Sequence, residues 1–164
     1  NYAYLNTELD TGCCFVDTAD PFATTPGAQP AAPAPGGRVA QSVVGNDLPL
    51  SPENKVTLGA NYRFELDAGT LTFSGTATYI DPQSSTLFNN PIYRTESFTT
   101  GDLRALWRDS DDRFTVIGFV KNVTDEVGFG SSTASPSGVS AVGARRQVTL
   151  IFPRTYGIEF QYRF

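Results

Sequence analysis

The chain ends on RTYGIEFQYRF, which alternates in character up to its final position. Tyr156, Ile158, Phe160, Tyr162 and Phe164 fall on one face, and Thr155, Gly157, Glu159, Gln161 and Arg163 on the other. A period of two is a strand, so the chain must end in a sheet with one greasy face and one polar face. A soluble sheet turns its greasy face to a core. An outer-membrane barrel turns that face to lipid and lines its lumen with the polar one. The terminal strand alone leaves both open.

The rest of the sequence repeats the pattern, giving an all-β reading with about six strands. The first covers about Tyr2–Leu9. The second is NKVTLGANYRF, with Val56, Leu58, Ala60, Tyr62 and Phe64 opposite Lys55, Thr57, Gly59, Asn61 and Arg63. The third is TLTFSGTATY, the fourth about Phe98–Arg108, and the fifth FTVIGFVKN, which is apolar on both parities and yields no face. The sixth runs from about Gln147 to Phe164, with Pro153 at an edge, bulge or irregular point. Connections alternate in length: residues 10–53, 80–97 and 123–146 are long, whereas ELDAG and DSDDR are short. Transmembrane barrels alternate short periplasmic turns with long outer loops, and a soluble meander has no reason to. Tyr62, Phe64, Phe73, Trp107, Phe114, Tyr162 and Phe164 collect at the short-turn side, as an interfacial girdle requires.

Composition narrows the chemistry. The 164 residues carry a net charge of −5, which argues against a nucleic-acid partner. There is no His, so His-based triads and imidazole acid–base catalysis are excluded. No run of about 18 apolar residues offers a membrane helix, which leaves a barrel open. Neither a catalytic set, a metal site nor a cofactor is expected. The opening NYAYLNTEL already reads as a strand, so the expectation is a piece of a longer protein. Pro21–Gly37 is rich in Pro, Ala and Gly and uncharged, and is expected to be extended or disordered, not packed.

Two segments then resemble a known family. FTVIGFVKNVTDE carries Asn122-Val123-Thr124-Asp125, and PRTYGIEFQYRF carries Pro153-Arg154-Thr155 and ends Tyr162-Arg163-Phe164. Together they resemble the C-terminal end of TonB-dependent outer-membrane receptors, with Val123 in place of the usual Leu; LPLSPENKVTLGANYRF is similar as well. The resemblance implies that residues 1–164 are the C-terminal portion of a 22-stranded transmembrane β-barrel, namely its last six strands in an antiparallel meander. It implies a cell outer-membrane location in a Gram-negative bacterium. It also implies energised uptake of a scarce solute: an iron–siderophore complex, cobalamin or a carbohydrate. The partners it implies are outer-membrane lipid, the rest of the parent barrel and its plug, the barrel-assembly machinery, and TonB through an N-terminal part that is absent here. Tyr156, Ile158, Phe160, Tyr162 and Phe164 match the family's barrel-assembly signature. Asn122, Thr124, Asp125, Pro153, Arg154 and Thr155 form the family motif. The fragment alone is expected to be inactive, and not an enzyme.

Several features have plainer readings. Phe88, Asn89, Asn90, Tyr93, Arg145 and Arg146 fall in expected outer loops and are candidates for ligand contact, although loop chemistry alone names no substrate and packing between loops is the plainer expectation. Asp109, Asp111 and Asp112 lack the Gly and distal Glu of a calcium loop and read as a solvated turn. Cys13 and Cys14 are adjacent. A bond between them closes only a strained ring, so a pair that serves the loop is expected rather than a vicinal disulfide, metal or redox site. Lys55, Arg63, Arg104, Glu159 and Arg163 line the polar face, against a plug or water. The competing folds are a porin-like or adhesin barrel and a soluble β-sandwich binding module.

Overall fold

The computed structural model describes residues 1–136 and 144–164. Its strands are β1 (Tyr2–Tyr4), β2 (Cys13–Phe15), β3 (Pro30–Pro33), β4 (Val39–Ser42), β5 (Asn54–Leu66), β6 (Gly69–Ile80) and β7 (Gln83–Ser84), followed by β8 (Arg94–Thr95), β9 (Phe98–Asp109), β10 (Phe114–Lys121), β11 (Phe129–Pro136), β12 (Ala144–Leu150) and β13 (Thr155–Tyr162). Six of them form one antiparallel sheet in the order β1-β5-β6-β9-β10-β13, so each strand lies beside its neighbour in the meander. This is the all-β antiparallel architecture expected from the alternation.

Register decides the faces. Tyr62 lies opposite Phe73, Leu71 opposite Trp107, Val116 opposite both Trp107 and Phe160, and Phe114 opposite Tyr162. Opposed residues share a face, so the greasy positions run unbroken across the sheet. The fifth segment now has its faces. Val116, Gly118 and Val120 join the greasy side; Thr115, Ile117, Phe119 and Lys121 join the polar side.

Among the described residues nothing covers the greasy face. Tyr156 is 79% exposed, Ile158 69% and Phe160 77%. Burying such a side chain is worth about 1.5–3 kcal/mol. Leaving roughly half a dozen in water would forgo about 9–18 kcal/mol, as much as the whole stability of an ordinary domain. A β-sandwich would lay a second sheet on this face, and the described residues supply none there. The buried residues lie elsewhere: Asp17, Asp20, Ala40, Gln41, Val43, Asn46, Tyr93, Thr95 and Ser132 belong to the long connections, and among the described residues Ile117 is the one buried hydrophobic residue in the main sheet.

The short turns hold one end. Leu66 pairs with Gly69 around Asp67-Ala68. Gly69 has φ +130°, and a Cβ there would sit 2.0 Å from the Arg108 carbonyl oxygen, so the position takes only glycine. In the second turn Asp109 accepts the Phe114 N–H at 2.7 Å. Asp112 pairs with Arg108 and Arg163, each at 3.3 Å. Two of the three turn carboxylates are thus engaged within the protein. Around this end the rings of Tyr62 and Phe64 are 4.6 Å apart, those of Phe114 and Tyr162 4.9 Å, and those of Tyr162 and Phe164 4.9 Å. At the other end Tyr2 donates to Asn54 (2.7 Å), Asn54 to Asp81 (2.6 Å) and Tyr79 to Asp81 (2.8 Å), which ties three strands together beneath the long loops.

The structure corrects two expectations. Residues 147–164 are not one strand. β12 and β13 are separated by Ile151–Arg154, where Pro153 has no N–H to give a ladder. The 123–146 connection is not an open loop: β11 rises from it and pairs with β12 over Phe129–Pro136, prolonging the last hairpin, while residues 137–143 lie outside the described residues. Pro21–Gly37 is extended, as its composition suggested, and none of its residues is buried. Its β3 is an edge strand of the small sheet β2-β4-β3, a position that tolerates Pro30 and Pro33. Gln41 of the central strand donates to the carbonyl of Asp20, just ahead of the segment, at 3.3 Å. The first strand is also shorter than expected, although Leu5 and Leu9 still bond to Glu53 and Asn46 beyond its end.

Candidate functional site

Two constructions stand out: a corner in the last hairpin and a cluster of outer loops. The corner unites the two sequence motifs. Asn122 has φ +50°, a left-handed conformation that Asn tolerates better than most residues. It is 4% exposed and uses its whole amide. Its Oδ1 accepts the Glu126 N–H at 3.0 Å. Its Nδ2 donates to the Glu126 carbonyl at 2.9 Å and to the Phe152 carbonyl at 3.1 Å. Its own N–H goes to Asp102 at 2.9 Å. Asp125, at φ +58°, forms an ion pair with Arg154 at 3.1 Å. Thr155 donates to the Pro153 carbonyl at 3.0 Å, while Thr124 is only 3.5 Å from Asn122 Oδ1. Asn122-x-Thr-Asp and Pro-Arg-Thr, far apart in sequence, form one joint where both arms of the hairpin leave the ladder.

In the loop cluster Asp17 is 1% exposed. It accepts from the Ala19 N–H at 2.8 Å, from Asn90 Nδ2 at 3.0 Å and from the Tyr93 hydroxyl. Burial, with the hydrogen bond to Asp17 second, pushes the Tyr93 phenol up to about 12. Asn89 donates to Asn46 at 2.6 Å, and Asn46 donates to the Leu87 carbonyl at 2.8 Å. Asp20 shows the opposite balance. Burial raises it, but hydrogen bonds from Thr24 and Thr25, at 2.6–2.8 Å, outweigh that and hold it at about 2.

The loop candidates therefore sit as follows. Asn89, Asn90 and Tyr93 turn into the contact between the first and second long connections, and the Phe88 ring lies 6.4 Å from that of Tyr93. Arg146 donates to Ser132 and to the Arg94 carbonyl, both at 2.8 Å, and its guanidinium lies 5.4 Å above the Phe129 ring. Ser132, fully buried, donates to the Ile92 carbonyl at 2.6 Å. Arg145 lies apart on β12, opposite Ser135. The hubs Asp17, Asn46 and Ser132 carried no sequence signal, because isolated polar residues in aperiodic segments resemble any solvated loop. Cys13 and Cys14 are joined as a vicinal disulfide on exposed β2, where a pair serving the loop, and not a vicinal disulfide, was expected.

Among the described residues no group of three or more His, Cys, Asp or Glu is arranged to hold a metal. An open apolar trough of about 1060 Å³ crosses the middle of the main sheet, bordered by Tyr62, Phe73, Leu103, Tyr156 and Ile158 of the greasy face. A more polar recess of about 390 Å³ lies between the first two long connections.

No protein-family model and no curated protein matches the chain. Solved structures do. The ferric yersiniabactin uptake receptor of Yersinia pestis is similar with a TM-score of 0.62 and 18% identity, over 76% of this chain and 18% of that one. The ferric preacinetobactin receptor of Acinetobacter baumannii gives a TM-score of 0.58 and 22% identity, over 73% of this chain and 16% of that one. The likeness establishes the fold: the six-stranded sheet is built like a portion of these receptors. The chain spans less than a fifth of the length of either.

Proposed function

We propose that the chain is a section of the barrel wall of a TonB-dependent receptor in the outer membrane of a Gram-negative bacterium, and that its parent imports a scarce solute. The observation that carries this reading is the joint of Asn122 and Asp125 with Phe152 and Arg154. The residues that suggested the family from sequence meet in space, immediately above the greasy terminal strand. The solved receptors that share the fold are named for ferric yersiniabactin and ferric preacinetobactin, which favours a ferric siderophore over cobalamin or a carbohydrate.

On this reading the strands supply wall, lipid contact and loops, and perform no covalent chemistry. The uncovered greasy face meets hydrocarbon, and the ring-rich lower end marks its periplasmic border. The open edges β1 and β13 pair with the rest of the barrel, since unpaired strand edges are not tolerated in lipid. Tyr156, Ile158, Phe160, Tyr162 and Phe164 are presented along one exposed line, available to the barrel-assembly machinery. A plug from the same polypeptide fills the polar side and answers to TonB.

The test is membrane fractionation followed by uptake. The polypeptide carrying this chain should sediment with outer membranes and resist alkaline carbonate. Deleting its gene should abolish uptake of one ferric siderophore to the same extent as loss of TonB. Recovery in the soluble fraction would sink the wall reading; outer-membrane recovery with uptake independent of TonB would point to a porin-like barrel.

A further inference from the structure

The recess between the first two long connections is built differently from the loops around it. Asp17, Asn46 and Ser132 all find partners inside the protein. Its lining includes Ser84, Asn89 and Asn90, which bond within the chain, and also Asn6, Asp47, Glu53, Gln83 and Arg94; among the described residues no side chain of these last five makes a hydrogen bond within the chain. Nor, among the described residues, does any ion pair use Asp47, Glu53 or Arg94, although all three border one space of about 390 Å³. Backbone anchors fix the recess on either side. Leu50 N–H bonds to the Ser84 carbonyl at 2.8 Å, Leu5 N–H to the Glu53 carbonyl at 2.9 Å, and Asn46 clamps the Leu87 carbonyl.

We infer that this recess is a binding site for a small amphoteric solute, one that presents an amine to Asp47 and Glu53 and a carboxylate to Arg94. The volume falls in the range of small-molecule pockets. Arg is suited to a carboxylate because its planar fork gives two parallel hydrogen bonds. Two carboxylates with one guanidinium leave an excess negative charge, which an amine on the solute meets. Asn6 and Gln83 supply further donors and acceptors around the middle of such a molecule. Because the charged groups are also open to water, the site discriminates by the presence of both charges rather than by either alone. The inference rests on the outer-surface placement proposed above, but not on transport.

The probe is the dipeptide Lys-Asp, with putrescine (amine only) and succinate (carboxylate only) as controls. Binding is followed by saturation-transfer NMR on the complete polypeptide purified into detergent, from whichever fraction holds it. Lys-Asp is expected to bind at least tenfold tighter than either control. Asp47→Asn with Glu53→Gln, and separately Arg94→Gln, should each weaken it at least tenfold, with Arg94→Lys intermediate. Each variant is first checked for unchanged heat-modifiable mobility, and a variant that fails the check is replaced by titration of the wild type with salt, which should weaken Lys-Asp at least fivefold between 50 and 300 mM. The inference is overturned if Lys-Asp does not bind, if putrescine matches it, or if Arg94→Gln folds and leaves its affinity unchanged. Because uptake is not part of the measurement, failure here leaves the wall reading standing. Failure of the fractionation test likewise leaves this binding result readable.

Discussion

Asn122 reaches across the last hairpin to the Phe152 carbonyl at 3.1 Å, so a single amide closes both arms of the corner. Asn122→Ala would leave the Glu126 and Phe152 carbonyls and the Glu126 N–H without that partner, and would place a Cβ residue with no local hydrogen bond at φ +50°. A buried group left unpaired costs about 1–3 kcal/mol and a left-handed residue about 1–2 kcal/mol. The expected loss is about 2–4 kcal/mol in detergent unfolding. Asn122→Gly should recover about 1 kcal/mol of it. Equal losses for the two would show that the backbone conformation contributes nothing.

Asp125 and Arg154 belong to the same corner but face solvent, with side chains about half exposed. Exposed ion pairs contribute about 0–1 kcal/mol. A double-mutant cycle over Asp125→Asn and Arg154→Gln should therefore give a coupling below about 1 kcal/mol, which shrinks in high salt. A coupling of several kcal/mol would mean that the pair is shielded, for example by a neighbouring strand.

The first long connection should depend on pH through Asp20. Its folded value of about 2 lies below the ordinary carboxylate value of 3.8. A depressed folded value stabilises above the unfolded one and is lost as pH falls, so the contribution is full above about pH 4 and fades between about pH 4 and pH 2. Asp20 is 5% exposed, and the shift corresponds to about 2 kcal/mol. Asp20→Asn should flatten amide-exchange protection of residues 17–42 over that window. A wild-type profile already flat there would contradict the assignment.

Tyr93 sets the alkaline limit. Its folded value, about 12, is raised above the ordinary 10, so its contribution is full below about pH 10 and lost as pH climbs through about 12. Tyr93→Phe deletes the hydroxyl that donates to buried Asp17, leaving Ala19 and Asn90 as its donors. We expect a loss of about 1–3 kcal/mol. It should appear as faster exchange in residues 17–20 and 86–93, with the main sheet unaffected. Equal loss of protection in β6 and β9 would show that the rim and wall unfold together.

Glycine supplies an internal control. Gly69→Ala drives a Cβ into the Arg108 carbonyl oxygen at φ +130°, whereas a Cβ at Gly118 meets nothing within 4 Å. The first substitution should cost at least about 2 kcal/mol or abolish folding; the second should stay within about 0.5 kcal/mol. Thermal unfolding of the two variants side by side decides it.

The wall was readable because its code is local. In NKVTLGANYRF and TYGIEFQYRF each residue's neighbour two places on shares its environment, so alternation alone assigns the face. FTVIGFVKN is apolar on both parities, and only its register against Trp107 and Phe160 placed Val116 with the greasy side. The sequence FGSSTASP has no face at all, which is why β11 read as loop. Its pairing is dictated by β12 and by the Ser132–Ile92 and Arg146–Arg94 contacts. For the Pro-rich segment composition predicted the extended backbone but not its pairing with β4. Of the candidate site, the corner motif was legible through resemblance. The hubs Asp17, Asn46 and Ser132 were not, because a buried polar residue is recognised by its partners and those are distant in sequence.

The buried residues gather in the long connections while the greasy face stays uncovered, and this divides the chain by the kind of neighbour each part must fit. A side chain packed against protein meets a fixed shape and tolerates little change in volume. A side chain facing a liquid of hydrocarbon chains meets a medium that flows around whatever is offered. Natural variation should therefore follow a gradient: Leu103, Ile158 or Phe160 free to exchange among apolar residues of any size, Val43 and Tyr93 held to one shape. On the wall reading proposed above, the usual rule, that the outside of a protein drifts while its inside stays put, would apply with lipid counted as the outside and the rim as the inside.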